Sequence, residues 1–231
     1  MREGGVSSSD WLHVVVALCF HDIGYVRGVC RQDNDDICAT GVGDAAIALP
    51  TGATDAALTP YHVDRSQCVI REHFSDHEQL NVDRLATYIE RTRFPVPDAV
   101  DYQMTADYAG LVRAADLIGQ LADPRYLSKL PALFYEFEQT GTNTHRGYNT
   151  PDDLRRDSPA FFWQVAYAYI KDGLHHLQVT EEGQSWLELL YGNVFAVEHL
   201  QIGSLVRRET APRIGFQLDA NCYMGQSCNG P

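Results

Sequence analysis

The stretch "WLHVVVALCFHDIG", Trp11 to Gly24, limits the possible folds more than any other part of the chain. Trp11, Leu12, Val14, Val15, Val16, Leu18, Cys19 and Phe20 are apolar nearly all round a helix, so a helix here is expected to be deeply buried. Ser7, Ser8, Ser9 and Asp10 supply N-cap residue types just ahead of it. The helix is expected over Trp11 to Ile23, with Gly24 as its stop. His21 and Asp22 stand side by side where the apolar run ends. Either the pair satisfies a helix end, or it holds something.

A buried helix needs neighbours, and the helical period returns several times. It runs from Val63 through "DRSQCVIREHF", then over Asn81 to Arg93, where Val82, Leu85, Ile89 and Phe94 share a face. A third pattern begins near Tyr102, passes through "ADYAGLVRAADLIGQLAD" and ends at Pro124. "YLSKLPALFYEFEQTG" follows, ended by Gly141. "TNTHRGYNTPDDLRRDSP" reads as loop, and two further helices fit Ala160 to Leu177 and Glu181 to Leu205. Residues 31–60 are rich in Gly, Asp, Thr and Ala, and read as a long loop with a small β-hairpin around Ala46 to Leu49. The expectation is an all-α domain over residues 1–206 with seven or eight helices and that one irregular insertion. Residues 207–231 are expected to form a flexible tail.

Composition excludes some functions. No run of about 18 uncharged apolar residues occurs, and "MREGGVSSSD" lacks a signal-peptide pattern, so a cytoplasmic protein with no membrane span is expected. With 18 basic and 31 acidic residues the net charge is −13, which argues against a general nucleic-acid binder but not against a phosphate ester as substrate. Cys19, Cys30, Cys38, Cys68, Cys222 and Cys228 include no CxxC pair and read as reduced thiols. A homodimer through helices near the tail is compatible with the pattern, though nothing in the sequence fixes it.

An imidazole beside a carboxylate suits half of a site for a hard or borderline divalent metal. Adjacent helical residues point about 100° apart, so His21 and Asp22 can share an ion only where the helix ends. A second piece is Asp116, a carboxylate inside the apolar "LVRAADLIGQL". Burying it is costly without a metal or a cation such as Arg113.

An apolar helix ending in His-Asp-Ile-Gly, followed by a separate helix with Asp in an Ala-Ala-Asp-Leu context, resembles the HD-domain metal-dependent phosphohydrolase superfamily, which includes cyclic-nucleotide phosphodiesterases. The resemblance covers roughly Trp11 to Tyr169 and implies an all-α bundle. It also implies that His21, Asp22 and Asp116 ligate a divalent ion (Mn, Fe, Zn or Mg), and that a phosphoester, including a nucleotide or cyclic nucleotide, is the substrate. The superfamily pattern starts with a further histidine on an earlier helix. Here His13 is the only histidine before His21, and one continuous helix would set the two about 12 Å apart along its axis. Ligands must come within about 2.1 Å of the ion, so His13 is expected to be a packing or surface residue. The helix bearing the first ligand is expected to be missing from the chain.

Some superfamily members add histidines between the pair and the last Asp. His62 is the best candidate for that role, and Arg65, one turn on, for contact with a phosphoryl oxygen. A backbone-bonded helix start for His62 and a surface ion pair of Arg65 with Asp64 or Asp55 are the plain alternatives. His73 and His77 lie in a charged segment and read as solvated. Ser66 has no evident acid or base beside it and is not expected to act as a nucleophile. "FFWQVAYAYI" reads as core. An HD-fold module that binds a nucleotide or a protein without turning it over is the alternative to an enzyme.

Overall fold

The protein is described by a computed structural model covering residues 5–35 and 37–210. The architecture is all-α with one small hairpin. In chain order the described elements are α1 (Ser8–Phe20), β1 (Ile37–Ala39), β2 (Ala46–Ala48), α2 (His62–Phe74), α3 (Val82–Glu90), α4 (Tyr108–Leu121), α5 (Tyr126–Thr140), α6 (Thr142–Arg146), α7 (Pro151–Phe161), α8 (Tyr167–Leu177) and α9 (Glu181–Thr210). Short 3₁₀ turns at Ile23–Tyr25, Asp55–Leu58 and Val100–Gln103 join them. The strands pair antiparallel, Ile37 with Ala48 and Ala39 with Ala46, so the hairpin lies in the expected insertion.

α4 is the shared wall of two cores. With α1, α2 and α3 it encloses Ala17, Val63, Ile70, Leu85, Ile89 and Val112. With α8 and α9 it encloses Leu117, Ile118, Phe162, Ile170, Leu174 and Leu190. Asp107 caps α4, its carboxylate accepting the Gly110 N–H at 2.7 Å, so the helix starts later than the periodicity near Tyr102 suggests.

Three expectations are corrected. α1 begins at Ser8, where Ser7 and Asp10 form a capping box, and it buries only His13 and Ala17. Trp11 is 64% exposed. One side of α1 packs on α3, while another borders a groove of about 1340 Å³ lined by Trp11, Val14, Leu18, Leu111, Ile118 and Trp186. All-round apolarity therefore does not bury this helix among the described residues. Secondly, the segment read as loop holds α6 and α7. Thr150 caps α7 with Asp153 in a second capping box and Pro151 in the first turn. Thirdly, a π-helical turn at Phe162–Ala166 joins α7 to α8, so "FFWQVAYAYI" is core on one side only. Phe162, Ala166 and Ile170 are buried, while Trp163 and Tyr167 are partly exposed.

Of the expected flexible tail, 207–210 belong to α9 and 211–231 lie outside the described residues. Among the described residues no helix is long and apolar enough to cross a membrane. Cys19, Cys30, Cys38 and Cys68 are free thiols, while Cys222 and Cys228 lie outside the described residues.

Candidate functional site

The last turn of α1 prepares the site. His21 keeps right-handed helical angles as the C-cap (φ −60°, ψ −31°), and Asp22 then leaves the helix at φ −104°, ψ 3°. The two side chains thus straddle a helix end, where neighbours can converge. His21 Nδ1 lies 2.8 Å from the Leu18 carbonyl and donates to it, satisfying one of the open carbonyls of α1. That bond commits Nδ1 and leaves Nε2 as the ring nitrogen that can face other partners.

α2 holds the turn from behind. The Ser66 hydroxyl donates to the His21 carbonyl at 2.7 Å and accepts the Gly24 N–H at 2.9 Å. Gly24 is required by closeness: a Cβ there would sit 2.0 Å from the His62 carbonyl oxygen. It does not terminate α1 with a left-handed residue, as the sequence suggested, because its φ is not among the positive ones.

Arg65 does not face the site. Its side chain is fully buried, donating from Nε to the Gly24 carbonyl at 2.6 Å and from Nη2 to the Val26 carbonyl at 2.9 Å. Asp33 receives the guanidinium at 2.9 Å, with both side chains 0% exposed. Burial opposes ionisation of Asp33, but the Arg65 bond and the Ala39 N–H outweigh it and hold the carboxyl below its ordinary range. The role given to Arg65 on a phosphoryl oxygen is corrected accordingly: its donors are spent on the turn that carries Asp22.

His62 opens α2. Its Nδ1 lies 2.7 Å from the Thr59 carbonyl, and its ring stacks on Tyr25 with centroids 4.3 Å apart and planes 15° apart. Its Nε2 then lies 3.9 Å from Asp22 Oδ1. Burial holds this imidazole below its ordinary pKa. Asp116 arrives from the middle of α4, its Oδ1 3.3 Å from His21 Nε2. Gln120, one turn on, donates to the same oxygen at 2.7 Å. Arg113 is no partner for Asp116, since it donates to the Tyr102 and Met104 carbonyls and lies over the Tyr169 ring.

The structure therefore brings together His21, Asp22, His62 and Asp116 from three elements. His21 Nε2 stands 3.3 Å from Asp22 Oδ2 and 3.3 Å from Asp116 Oδ1, and as a buried atom it makes no well-aligned hydrogen bond. Burial alone would lower the pKa of His21, but the Asp116 and Asp22 carboxylates together raise it to about 10. His21 in turn holds Asp22 below its ordinary pKa against the effect of burial.

Two donors on one small divalent ion, each about 2.1 Å from it, stand roughly 3.0–3.4 Å apart. The spacing around His21 Nε2 meets that condition, and one nitrogen with two carboxylate oxygens is a borderline-to-hard donor set. The same spacing also suits a shared proton, and among the described residues no three His, Cys, Asp or Glu side chains already form a ready-made metal-ligand group.

A family model for Npun_R2479-like proteins matches residues 1–200. The chain belongs to the Npun_R2479-like family. No curated protein and no solved structure matches it. In this Npun_R2479-like chain His13 packs as expected: it is 2% exposed, bonded through Nδ1 to the Ser9 carbonyl and through Nε2 to the Asn81 N–H. His73, in the last turn of α2, and His77, beyond the end of that helix, are both exposed. Sequence reasoning missed Tyr25 and Asp33, and considered Ser66 only as a nucleophile, not as the brace of the turn. Tyr25 carries the one available signal, an aromatic ring directly after the His-Asp-Ile-Gly turn.

Proposed function

We propose that this chain is a metal-dependent phosphohydrolase of the HD, phosphodiesterase-like type, acting on a phosphoester such as a nucleotide or cyclic nucleotide. One observation carries the reading: a buried imidazole nitrogen, its partner nitrogen already committed, faces carboxylates from two separate elements at equal distance. Such an arrangement is stable only with positive charge between the groups. His21, Asp22 and Asp116 are the residues that would hold a divalent cation. A cation bound there would supply Lewis-acid polarisation of a phosphoryl oxygen.

The other roles belong to the chain's own groups. Asp22 divides its oxygens, Oδ2 lying 3.3 Å from His21 Nε2 and Oδ1 facing His62 Nε2 at 3.9 Å. His62 donates from Nδ1 to a carbonyl, which leaves Nε2 free to accept a proton from an attacking water. Gln120 orients Asp116, and Ser66 fixes the backbone that sets the His21–Asp22 angle. Arg65 shapes the turn from behind.

A second reading has its own support. With a proton on His21 one of the two carboxylate charges is balanced, and the triad is then an ion cluster held by that proton in a module that binds a nucleotide or a protein without chemistry. Metal analysis after incubation with Mn²⁺ separates the two. The native protein is expected to retain metal and to hydrolyse bis(p-nitrophenyl) phosphate or a cyclic nucleotide, and His21→Ala and Asp116→Ala to lose both while staying folded. A native protein that takes up no divalent metal and cleaves no phosphoester ends the enzymatic reading. Nucleotide binding that persists in chelator supports the module.

A further inference from the structure

Tyr25 touches the site without belonging to the His-Asp and Asp pattern that defines it. It ends the 3₁₀ turn Ile23–Tyr25, three residues beyond Asp22. Its ring lies flat against His62, at 4.3 Å and 15°. The carbonyl of Thr59 accepts His62 Nδ1 at 2.7 Å. Thr59 is itself fixed, its N–H bonded to the Ala56 carbonyl as the 3₁₀ turn Asp55–Leu58 closes. Tyr25, Thr59 and His62 therefore form a clip: one face of the imidazole is covered and one nitrogen is tied. The geometry leaves Nε2 a single direction, toward Asp22 Oδ1 at 3.9 Å.

We infer that Tyr25 is a positioning residue, fixing the ring plane and tautomer of His62 so that its Nε2 faces the space beside Asp22. The inference rests on the phosphohydrolase reading only for its catalytic consequence; the fixing of the ring stands without it. An aromatic face restrains an imidazole through offset stacking, a contact whose strength depends on ring overlap and survives loss of the hydroxyl. The Thr59 carbonyl selects the Nδ1–H tautomer, and the Tyr25 ring holds the plane in which that bond is made. Residues that orient a functional imidazole through its second nitrogen commonly govern its effectiveness without touching substrate.

The test reads His62 directly. Nitrogen-15 spectra of the imidazoles, with His62 assigned from a His62→Gln variant, are expected to show one Nδ1–H tautomer in the native metal-free protein. Tyr25→Leu is expected to average the two tautomers, and Tyr25→Phe to restore the native pattern. On bis(p-nitrophenyl) phosphate with Mn²⁺, kcat is expected to fall about 10-fold in Tyr25→Leu with KM little moved, and to recover in Tyr25→Phe. If Tyr25→Leu does not fold, Tyr25→Met carries the test, since it likewise removes the aromatic face against His62; a broadened His62 signal is then expected. An unchanged His62 tautomer in Tyr25→Leu, or in Tyr25→Met where that variant is the one that folds, overturns the inference. A native protein that binds no Mn²⁺ overturns the phosphohydrolase reading instead, and leaves the spectroscopic result to decide the clip.

Discussion

Two arginines lie buried on α2 and α4, two of the helices that carry the site, and they are held by different physics. Arg65, behind the His21–Asp22 turn, is fully buried and meets a carboxylate and several backbone carbonyls. Arg113, three residues before Asp116, is 1% exposed and meets two carbonyls and the face of Tyr169 at 4.4 Å, while its Nε finds no hydrogen-bond acceptor. Burial and then Arg91 push the Arg113 pKa down. The bond to Asp33 outweighs burial and raises that of Arg65. The turn is thus fixed by a compensated ion pair, and the Asp116 helix by packing with a cation accommodated beside it. Backbone that leaves a helix needs polar partners to hold it, whereas a residue inside a regular helix is already placed.

Removing the acid at Arg65 should break this contrast most sharply. Asp33→Ala strands a buried guanidinium, and a loss of about 3–5 kcal/mol is expected from urea unfolding followed by far-ultraviolet circular dichroism. Ser66→Ala removes the two Ser66 bonds to the turn, leaving those of Arg65, and is expected to cost about 1–3 kcal/mol, with weaker Mn²⁺ uptake as the accompanying sign. Arg113→Met is expected to cost less, about 1 kcal/mol, because the charge it removes has no carboxylate to strand. A loss as large as that of Asp33→Ala would mean that the two arginines are equivalent after all.

Acid provides the gentlest test. The folded pKa of Asp33 is depressed, so its contribution is complete above the unfolded carboxylate value of about 3.9 and is lost as pH falls through the folded one. Native protein is therefore expected to lose more stability between pH 5 and about 3 than Asp33→Ala does, read as the shift in urea midpoint. Arg113→Met should keep the native acid response, since among the described residues no carboxylate forms an ion pair with that side chain.

The sequence carried the local part of this picture. Helical periodicity marks α2, α3, α4 and α5, and Gly with Asp and Thr marks the insertion. The costliness of a carboxylate at position 116 singles out a residue that does meet His21. The failures share a cause. Arg65 reads as a free cation because its acid, Asp33, is 32 residues away in an irregular loop, and no local pattern ties the two. Gly24 reads as a helix stop because closeness to the His62 carbonyl of another helix leaves no trace in its own neighbourhood. α1 reads as buried because apolar residues on every side say nothing about which side is covered. α7 is different: Thr150, Pro151 and Asp153 spell a helix start, and the signal was there to be taken.

The exposed flank of α1 has a practical side. Trp11, Trp163 and Trp186, the only three tryptophans in the chain, are 64%, 43% and 41% exposed. Indole emission from the native protein should already be shifted to the red by water, and unfolding should alter it little. Its blue shift would report a molecule settling onto the surface, which makes fluorescence here a sensor of company more than of folding.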